Sequence, residues 1–314
     1  MSPAGPGRDT GEPGRDAGEP KSGWRRVREE LAALDYRPSR RLGQNMMVDA
    51  NLARAIVRDA GVGAGDEVLE IGAGCASLTL PLLAAGARVT AVEIDGRLLE
   101  VARERVAAAA GAGELSPEPH AVRWIHTDVL AGKQRLADEV CEALPKSGTW
   151  RVVSNLPYSV GGPVTALLAA LPWPPESMTL LLQREMVERL VARPGTRDWG
   201  PLSVQVQASY RARQVRSVGP DLFWPRPRVD SAVVQLDLLP DRPQAPELAC
   251  LGAWTRLLLG QRRKALGGLL GRQLGDRERA GELLEALGLE NEARPGELSV
   301  ADLLALAREL GPPG

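Results

Sequence analysis

Aromatic side chains are scarce in this 314-residue chain, 4% in all, and Phe223 is the only phenylalanine. Histidine occurs twice, at His120 and His126, so a histidine-built metal centre is not expected and no metal is assigned. The three cysteines, Cys75, Cys141 and Cys250, match no metal-ligand or redox spacing. They are expected as free thiols in a reducing compartment, the cytoplasm. No apolar run reaches the ~18 residues of a membrane span, and the N-terminus has no apolar signal core. No membrane partner is therefore expected. An excess of one charge is also missing: 39 basic and 40 acidic residues leave a net charge of −1.

The charge that is present is unevenly spread. Lys21 to Arg41 holds seven basic and three acidic residues, Trp254 to Gln273 five and none, and Glu176 to Asp230 nine and six. Locally basic stretches on a near-neutral chain suit contact with phosphates. Residues 1–22 carry a tandem repeat, Gly7 to Pro13 and Gly14 to Pro20, with no large apolar side chain. Such a segment buries too little surface to offset chain entropy, and a disordered tail is expected.

From residue 23 the pattern alternates. Apolar residues at 24, 27, 31 and 34 give a helical stripe, and a helix capped by Asp49 runs to about Ala60. Strands are expected at 66–71, 88–93, 120–126, 150–154 and 178–183, with helices at 77–85, 96–110 and 162–171 between them. Residues 184–210 read as helical, followed by strands at 214–218 and 231–239. Strand–helix alternation predicts an α/β fold with a mostly parallel, doubly wound sheet over 23–239. Three prolines at 240–246 suggest a linker, and 247–314 reads as a small all-helical domain broken at Gly260, Gly275 and Pro295.

Candidate functional residues fall at the strand ends. Asn155-Leu156-Pro157-Tyr158 follows the strand ending at Ser154. An amide oxygen and a backbone carbonyl can accept from an exocyclic amine, a proline stiffens the turn, and a tyrosine offers a stacking face. Gly72 and Gly74 form a tight turn after the first strand, with Ala76 where a third glycine could stand. Glu93 ends the next strand, 21 residues after Gly72. This is the layout of a nucleoside-binding domain, in which glycines allow close approach and a carboxylate accepts from ribose hydroxyls. Ser77 in the sixth position argues against a dinucleotide and for a smaller ligand such as S-adenosylmethionine. Asp128 could accept from an adenine amino group, and Glu70 could hold an ammonium or a bridging water. Each residue alone is also what an ordinary turn would use. Together they line one rim, and methyl transfer to an exocyclic amine is the chemistry they suggest.

Asn155-Leu156-Pro157-Tyr158 resembles the catalytic motif of the ribosomal RNA adenine N6-dimethyltransferases. Further segments are similar to that family: Arg41-Leu42-Gly43-Gln44-Asn45, Gln183 to Leu190, Leu202-Ser203-Val204, Pro225 to Val234, Gln261-Arg262-Arg263-Lys264 and Arg294 to Ser299. The resemblance implies a Rossmann-like S-adenosylmethionine-dependent methyltransferase. Asn45, Met47, Gly72, Glu93 and Asp128 would contact the cofactor, with Gln44 beside them. Asn155 and Leu156 would hold the target amine, Tyr158 would stack on a flipped adenine, and Phe223 would press its other face. The helical tail favours the enzyme that dimethylates two adjacent adenines near the 3′ end of small-subunit rRNA, as a monomer. The erythromycin-resistance methylases of the large subunit are the alternative. A DNA or protein methyltransferase would carry proline at Leu156, and a non-catalytic assembly factor would not need the intact rim. Leu42, and Trp199-Gly200-Pro201 before Leu202, depart from the family pattern.

Overall fold

The computed structural model of the chain describes residues 22–33, 35–39, 42–115, 122–132 and 135–313. The N-terminal repeat, Arg40, Arg41 and His120 lie outside the described residues. The described residues fall into two units, one ending at Tyr36 and one beginning at Arg37. In the first, α1 (Ser22–Ala33) carries the predicted stripe, with Trp24, Val27 and Leu31 buried; Leu34 lies outside the described residues.

The second unit opens with β1 (Met46–Met47) and α2 (Ala50–Asp59), capped by Asp49, whose carboxylate accepts from Leu52 N at 2.8 Å. There follow β2 (Glu67–Ile71), α3 (Thr79–Ala84), β3 (Arg88–Glu93), α4 (Gly96–Gly111), β4 (Val122–His126), α5 (Asp138–Ala143), β5 (Arg151–Asn155), α6 (Gly161–Ala169) and β6 (Ser177–Gln183). Next come α7 (Arg184–Leu190), α8 (Pro201–Gln207), β7 (Tyr210–Val218), β8 (Phe223–Trp224) and β9 (Ser231–Leu238). The chain ends in α9 (Ala245–Leu259), α10 (Leu266–Leu274), α11 (Arg277–Ala286) and α12 (Val300–Leu310).

Seven strands form one sheet in the order β4-β3-β2-β5-β6-β9-β7. The first five are parallel, β9 is antiparallel to β6, and β7 is antiparallel to β9. The chain winds outward from β2 to β4, then returns to β5 on the other side of β2. That reversal leaves a crevice at the carboxyl ends of β2 and β5, where ligands bind in open α/β sheets. Alternate residues feed opposite faces. Val152, Leu180 and Leu182 join one apolar core with α6 and α7, while Val153 and Leu181 join a second with α2, α3 and α4. Burial on both faces is why these strands read as continuous apolar runs. Among the described residues no helix is long and apolar enough to cross a membrane.

Three expectations change. Residues 184–210 are not one helix: α7 stops at Leu190, the chain passes Pro194 and Gly195 (φ +83°), and α8 restarts at Pro201. Proline cannot continue the ladder and a left-handed glycine turns away from it. Tyr210 already belongs to β7. The proline-rich 240–246 segment is shorter than a linker over its full length, since Pro246 sits in the first turn of α9, where its missing N–H costs nothing. The helical tail shares a third core with Trp199, Val204 and Ala208 around α8. Arg262, expected among basic contact residues, donates instead to the carbonyls of Thr196, Arg197 and Trp199 at 2.8–3.0 Å, tying the helical tail to the loop before α8.

One contact joins the two turns that face the crevice. Gly72 has φ +76°, and a Cβ there would lie 3.1 Å from Pro157 Cδ. Gly72→Ala is therefore expected to cost at least ~1–2 kcal/mol for the left-handed backbone alone. Gly63→Ala, where a Cβ meets nothing within 4 Å, should stay within ~0.5 kcal/mol of the parent. Urea denaturation of both variants decides it; equal stabilities would remove this packing from the account.

Candidate functional site

The carboxyl ends of β2, β3, β4 and β5 open onto one cavity of about 390 Å³. At β2, Glu70 is 1% exposed and accepts from Thr79 Oγ1 at 2.6 Å. Burial, with the Thr79 hydrogen bond opposing and Glu93 adding repulsion, pushes its carboxyl up to about 8. Among the described residues no cationic side chain pairs with it, so a ligand carrying positive charge would complete it. The turn that follows is stitched to β3: Gly72 N donates to Val92 O at 2.8 Å and Gly74 N to Glu93 Oε2 at 2.8 Å. Ala76, in the third-glycine position, adopts φ +58°, a conformation that costs a non-glycine residue roughly 1–2 kcal/mol. Its methyl is fully buried in the core, which offsets part of that cost.

Glu93 closes β3. Its other oxygen accepts from Asp95 N at 2.9 Å. Burial raises this carboxyl too, opposed by the N–H groups of Asp95 and Gly74. Its oxygens keep lone pairs free for further donors. Asp128, two residues past β4, is exposed on the cavity wall and also accepts from Leu130 N at 2.9 Å. It is a turn aspartate and a cavity residue at once.

At β5, Asn155 Nδ2 donates to Asn45 O at 3.1 Å. That bond fixes which way the amide faces and leaves Oδ1 as an acceptor. The Leu156 side chain is buried and its N–H donates to Leu181 O at 3.2 Å. The Tyr158 hydroxyl shares a 2.8 Å hydrogen bond with Ser231 Oγ, and burial raises the phenol against that bond. Two anchors thus hold the ring: its own turn and the start of β9.

A strap from Leu42 to Met47 crosses this rim. Gly43, at φ +64°, passes within a Cβ contact of 3.3 Å from Tyr158 N. Gln44 Nε2 donates to Asp95 Oδ2 at 3.1 Å while its Oε1 accepts from Ser39 N at 2.6 Å. Asn45 Nδ2 turns back to Gly43 O at 3.2 Å. The Met47 side chain is buried in the core and its carbonyl accepts from Ser77 Oγ at 2.9 Å. A second cavity of about 850 Å³ shares Gly43, Gln44, Asn45, Tyr158 and Ser159 with the first and extends to Gln183 and the loop Pro225–Val229. Tyr158 is thus a common wall of two adjoining spaces.

The rim residues Gln44, Asn45, Met47, Glu70, Gly72, Gly74, Glu93, Asp128, Asn155, Leu156 and Tyr158 come together as the sequence suggests. Phe223 does not join them. It is 4% exposed, pairs with Met47 across the β1–β8 ladder, and lines neither cavity. The expected stacking face is instead a core anchor beneath the strap; to touch a base it would have to leave that core. Sequence reasoning missed the β1–β8 pairing, because a two-residue strand carries no alternation to read. It also missed Ser231 and Gln183, whose place depends on strand register.

A switch-point crevice with a glycine turn after β2 and a buried carboxylate ending β3 defines a Rossmann-like methyltransferase of the S-adenosylmethionine-dependent class. The fold matches a dimethyladenosine transferase from Plasmodium falciparum (TM-score 0.67, 21% identity, 84% of this chain and 96% of that one). It also matches the 23S rRNA methyltransferase ErmE (TM-score 0.62, 23% identity, 85% and 99%). The chain belongs to the ribosomal RNA adenine dimethylase family, whose sequence model matches residues 37–311. It is 38% identical over 281 residues to "Ribosomal RNA small subunit methyltransferase A" of Phenylobacterium zucineum, covering 90% of this chain and 91% of that one. The protein of the same name from Leifsonia xyli is 38% identical over 283 residues, covering 90% and 95%.

The buried Glu70 makes a pH prediction. Its folded carboxyl titrates near 8 against 4.5 for the ordinary group, so between those values the folded state holds a proton that the unfolded state has lost. Stability must then fall as pH rises from about 4.5 to about 8, by on the order of 3–5 kcal/mol from this residue. Glu70→Gln, which keeps an acceptor for Thr79, should flatten that slope and be the more stable protein at pH 8. Denaturant midpoints from pH 5 to 8.5 test this; parallel profiles for the two proteins would contradict it.

Proposed function

We propose that this chain transfers methyl groups from S-adenosylmethionine to N6 of two adjacent adenines near the 3′ end of small-subunit rRNA. Family membership supports rRNA adenine dimethylation, and the name carried by relatives that match about nine-tenths of the chain supports the small subunit. The observation that carries the chemistry is Asn155, which lines the first cavity and whose amide nitrogen is committed to the carbonyl of Asn45, a residue that both cavities share. We assign the first cavity to the cofactor and the second to the target nucleoside. The protein acts in the cytoplasm, where its free cysteines suit a reducing medium, and it acts as a monomer.

The cofactor-side residues fit such a ligand. Glu70, Glu93 and Asp128 offer carboxylates for its ammonium group, ribose hydroxyls and adenine amine. Gly72 and Gly74 keep the turn free of side chains where the ligand must come close. Met47 shapes the cavity floor, while Gln44 and Asn45 lie over it. Bound S-adenosylmethionine supplies a methyl on a positively charged sulfur, an electrophile that needs no strong base at its acceptor.

The chain's own contribution is alignment. An adenine amine is a poor nucleophile because its lone pair is delocalised into the ring. Asn155 Oδ1 and the Leu156 carbonyl accept its two hydrogens, which favours a pyramidal nitrogen with the lone pair directed toward the first cavity. Tyr158, pinned by Ser231, stacks on the flipped base and offsets part of the few kcal/mol that unstacking costs. Phe223 supports this wall from the core. Each transfer breaks the sulfur–methyl bond, leaves S-adenosylhomocysteine, and releases one amine hydrogen as a proton to solvent; in the second transfer the one remaining hydrogen is accepted by Asn155 Oδ1. The catalytic part is 23–239, and the helical part, 247–314, places the RNA.

Radiolabelled S-adenosylmethionine, unmethylated small subunits and naked large-subunit rRNA test the reading. Label is expected in N6,N6-dimethyladenosine from the small subunit; label confined to the large-subunit RNA would overturn it. Asn155→Ala should lower turnover ~100-fold or more, the scale of a lost alignment, while cofactor binding persists. Unchanged turnover would take the chemistry away from Asn155.

A further inference from the structure

Gln183 is the last residue of β6 and lines the second cavity half-buried. The strand registers fix which way it belongs. Asn155 pairs with Leu181 across β5 and β6, and Gln183 lies two residues further along β6, on the same face of the sheet. From strand spacing the Cα atoms of Asn155 and Gln183 are about 8 Å apart. Across the next ladder Gln183 pairs with Ser231, the residue that holds the Tyr158 hydroxyl. Asn155, Gln183 and Ser231 thus stand on three neighbouring strand ends, on one face of the sheet.

The other half-buried polar side chains of this wall are in use. Gln44 bridges Asp95 and Ser39, Asn45 Nδ2 is bonded to Gly43 O, and Tyr158 is bonded to Ser231. Arg226 is exposed and pairs with Asp221 at 2.8 Å, and Arg228 is exposed at the rim. Among the described residues the Gln183 amide has no hydrogen-bond partner. It is a half-buried donor with nothing to donate to, in the cavity assigned above to the target base.

Adenine chemistry supplies the missing partner. The C6 amine is flanked on both sides by ring nitrogens, N1 and N7, and both are acceptors. Asn155 Oδ1 and the Leu156 carbonyl define a place for the amine, and a donor beside that place meets one of these nitrogens. Guanine set in the same position would point O6 at two acceptors, and on its N1 edge would present an N–H to a donor. We propose that Gln183 is a substrate-specificity residue: its Nε2–H donates to the ring nitrogen beside the N6 amine, and so selects adenine. This rests on the function proposed above.

The test uses the full-length protein and small subunits reconstituted with 1-deazaadenosine or 7-deazaadenosine at the methylated positions. Each analogue keeps the amine and removes one flanking acceptor. The wild type is expected to lose about tenfold or more in kcat/KM on one analogue and little on the other, the cost of leaving a buried donor unpaired; the sensitive analogue says which edge is read. Gln183→Met should lose a similar factor on ordinary adenosine and lose nothing further on the sensitive analogue. Its cofactor affinity and melting temperature should match the wild type. If wild type methylates both analogues as well as adenosine, or if the losses from variant and analogue multiply, the proposal is overturned. The wild-type comparison stands even if Gln183→Met does not fold. Failure of wild type on ordinary adenosine would instead defeat the function assigned to the site.

Discussion

Pro157 rests on the backbone of Gly72, and the site depends on that contact. A Cβ at Gly72 would sit 3.1 Å from Pro157 Cδ, so the first turn must lack a side chain for the second to approach it. The approach sets Asn155 beside the strap, where Asn45 O takes its Nδ2. Gly43 repeats the arrangement from the other side, passing close to Tyr158 N with a left-handed backbone. Turns from distant parts of the chain are packed closely, the Pro157 ring on Gly72 and Gly43 on the Tyr158 backbone, and the few residues that carry chemistry lie around these contacts. The sheet makes this possible: its reversal between β2 and β5 brings the two turns to neighbouring strand ends.

The electrostatics of the rim run against folding. Glu70 and Glu93 are both buried, both raised, and repel one another when charged. Hydrogen bonds from Thr79, Gly74 and Asp95 relieve part of that cost. The remainder is carried by two apolar cores, one on each face of the sheet. A fold that spends stability on unpaired acids is poised to gain it back from a cationic ligand. Ala76 at φ +58° adds strain in the same turn, and strain and buried charge commonly gather at functional sites.

Much of the architecture was legible in the sequence because buried strands and amphipathic helices leave long patterns. Val152-Val153 and the run from Met178 to Leu182 could only be central strands, and Glu93 follows from where its strand must end. Short or non-local features left no such trace. Met46 and Met47 pair with a two-residue strand at Phe223 and Trp224, and nothing in either dipeptide announces it. Phe223 stands out by rarity, which does not say whether a ring faces a cavity or a core. Residues 184–210 kept a helical composition across Pro194-Gly195, and the breakers outweighed it. Gln183 and Ser231 acquired their place only through ladder registers joining β5, β6 and β9.

The central claim is that Tyr158 and the Gly43–Asn45 strap divide a methyl-donor cavity, lined by Asn155, from a nucleoside cavity. A crystal structure with S-adenosylhomocysteine and an RNA fragment carrying the target adenine tests it most directly. The account predicts the adenine N6 within ~3 Å of both Asn155 Oδ1 and the Leu156 carbonyl, with the base on Tyr158 and the cofactor against Gly72 and Glu93. An adenine bound elsewhere, or an Asn155 amide turned away from N6 and released from Asn45, would contradict it.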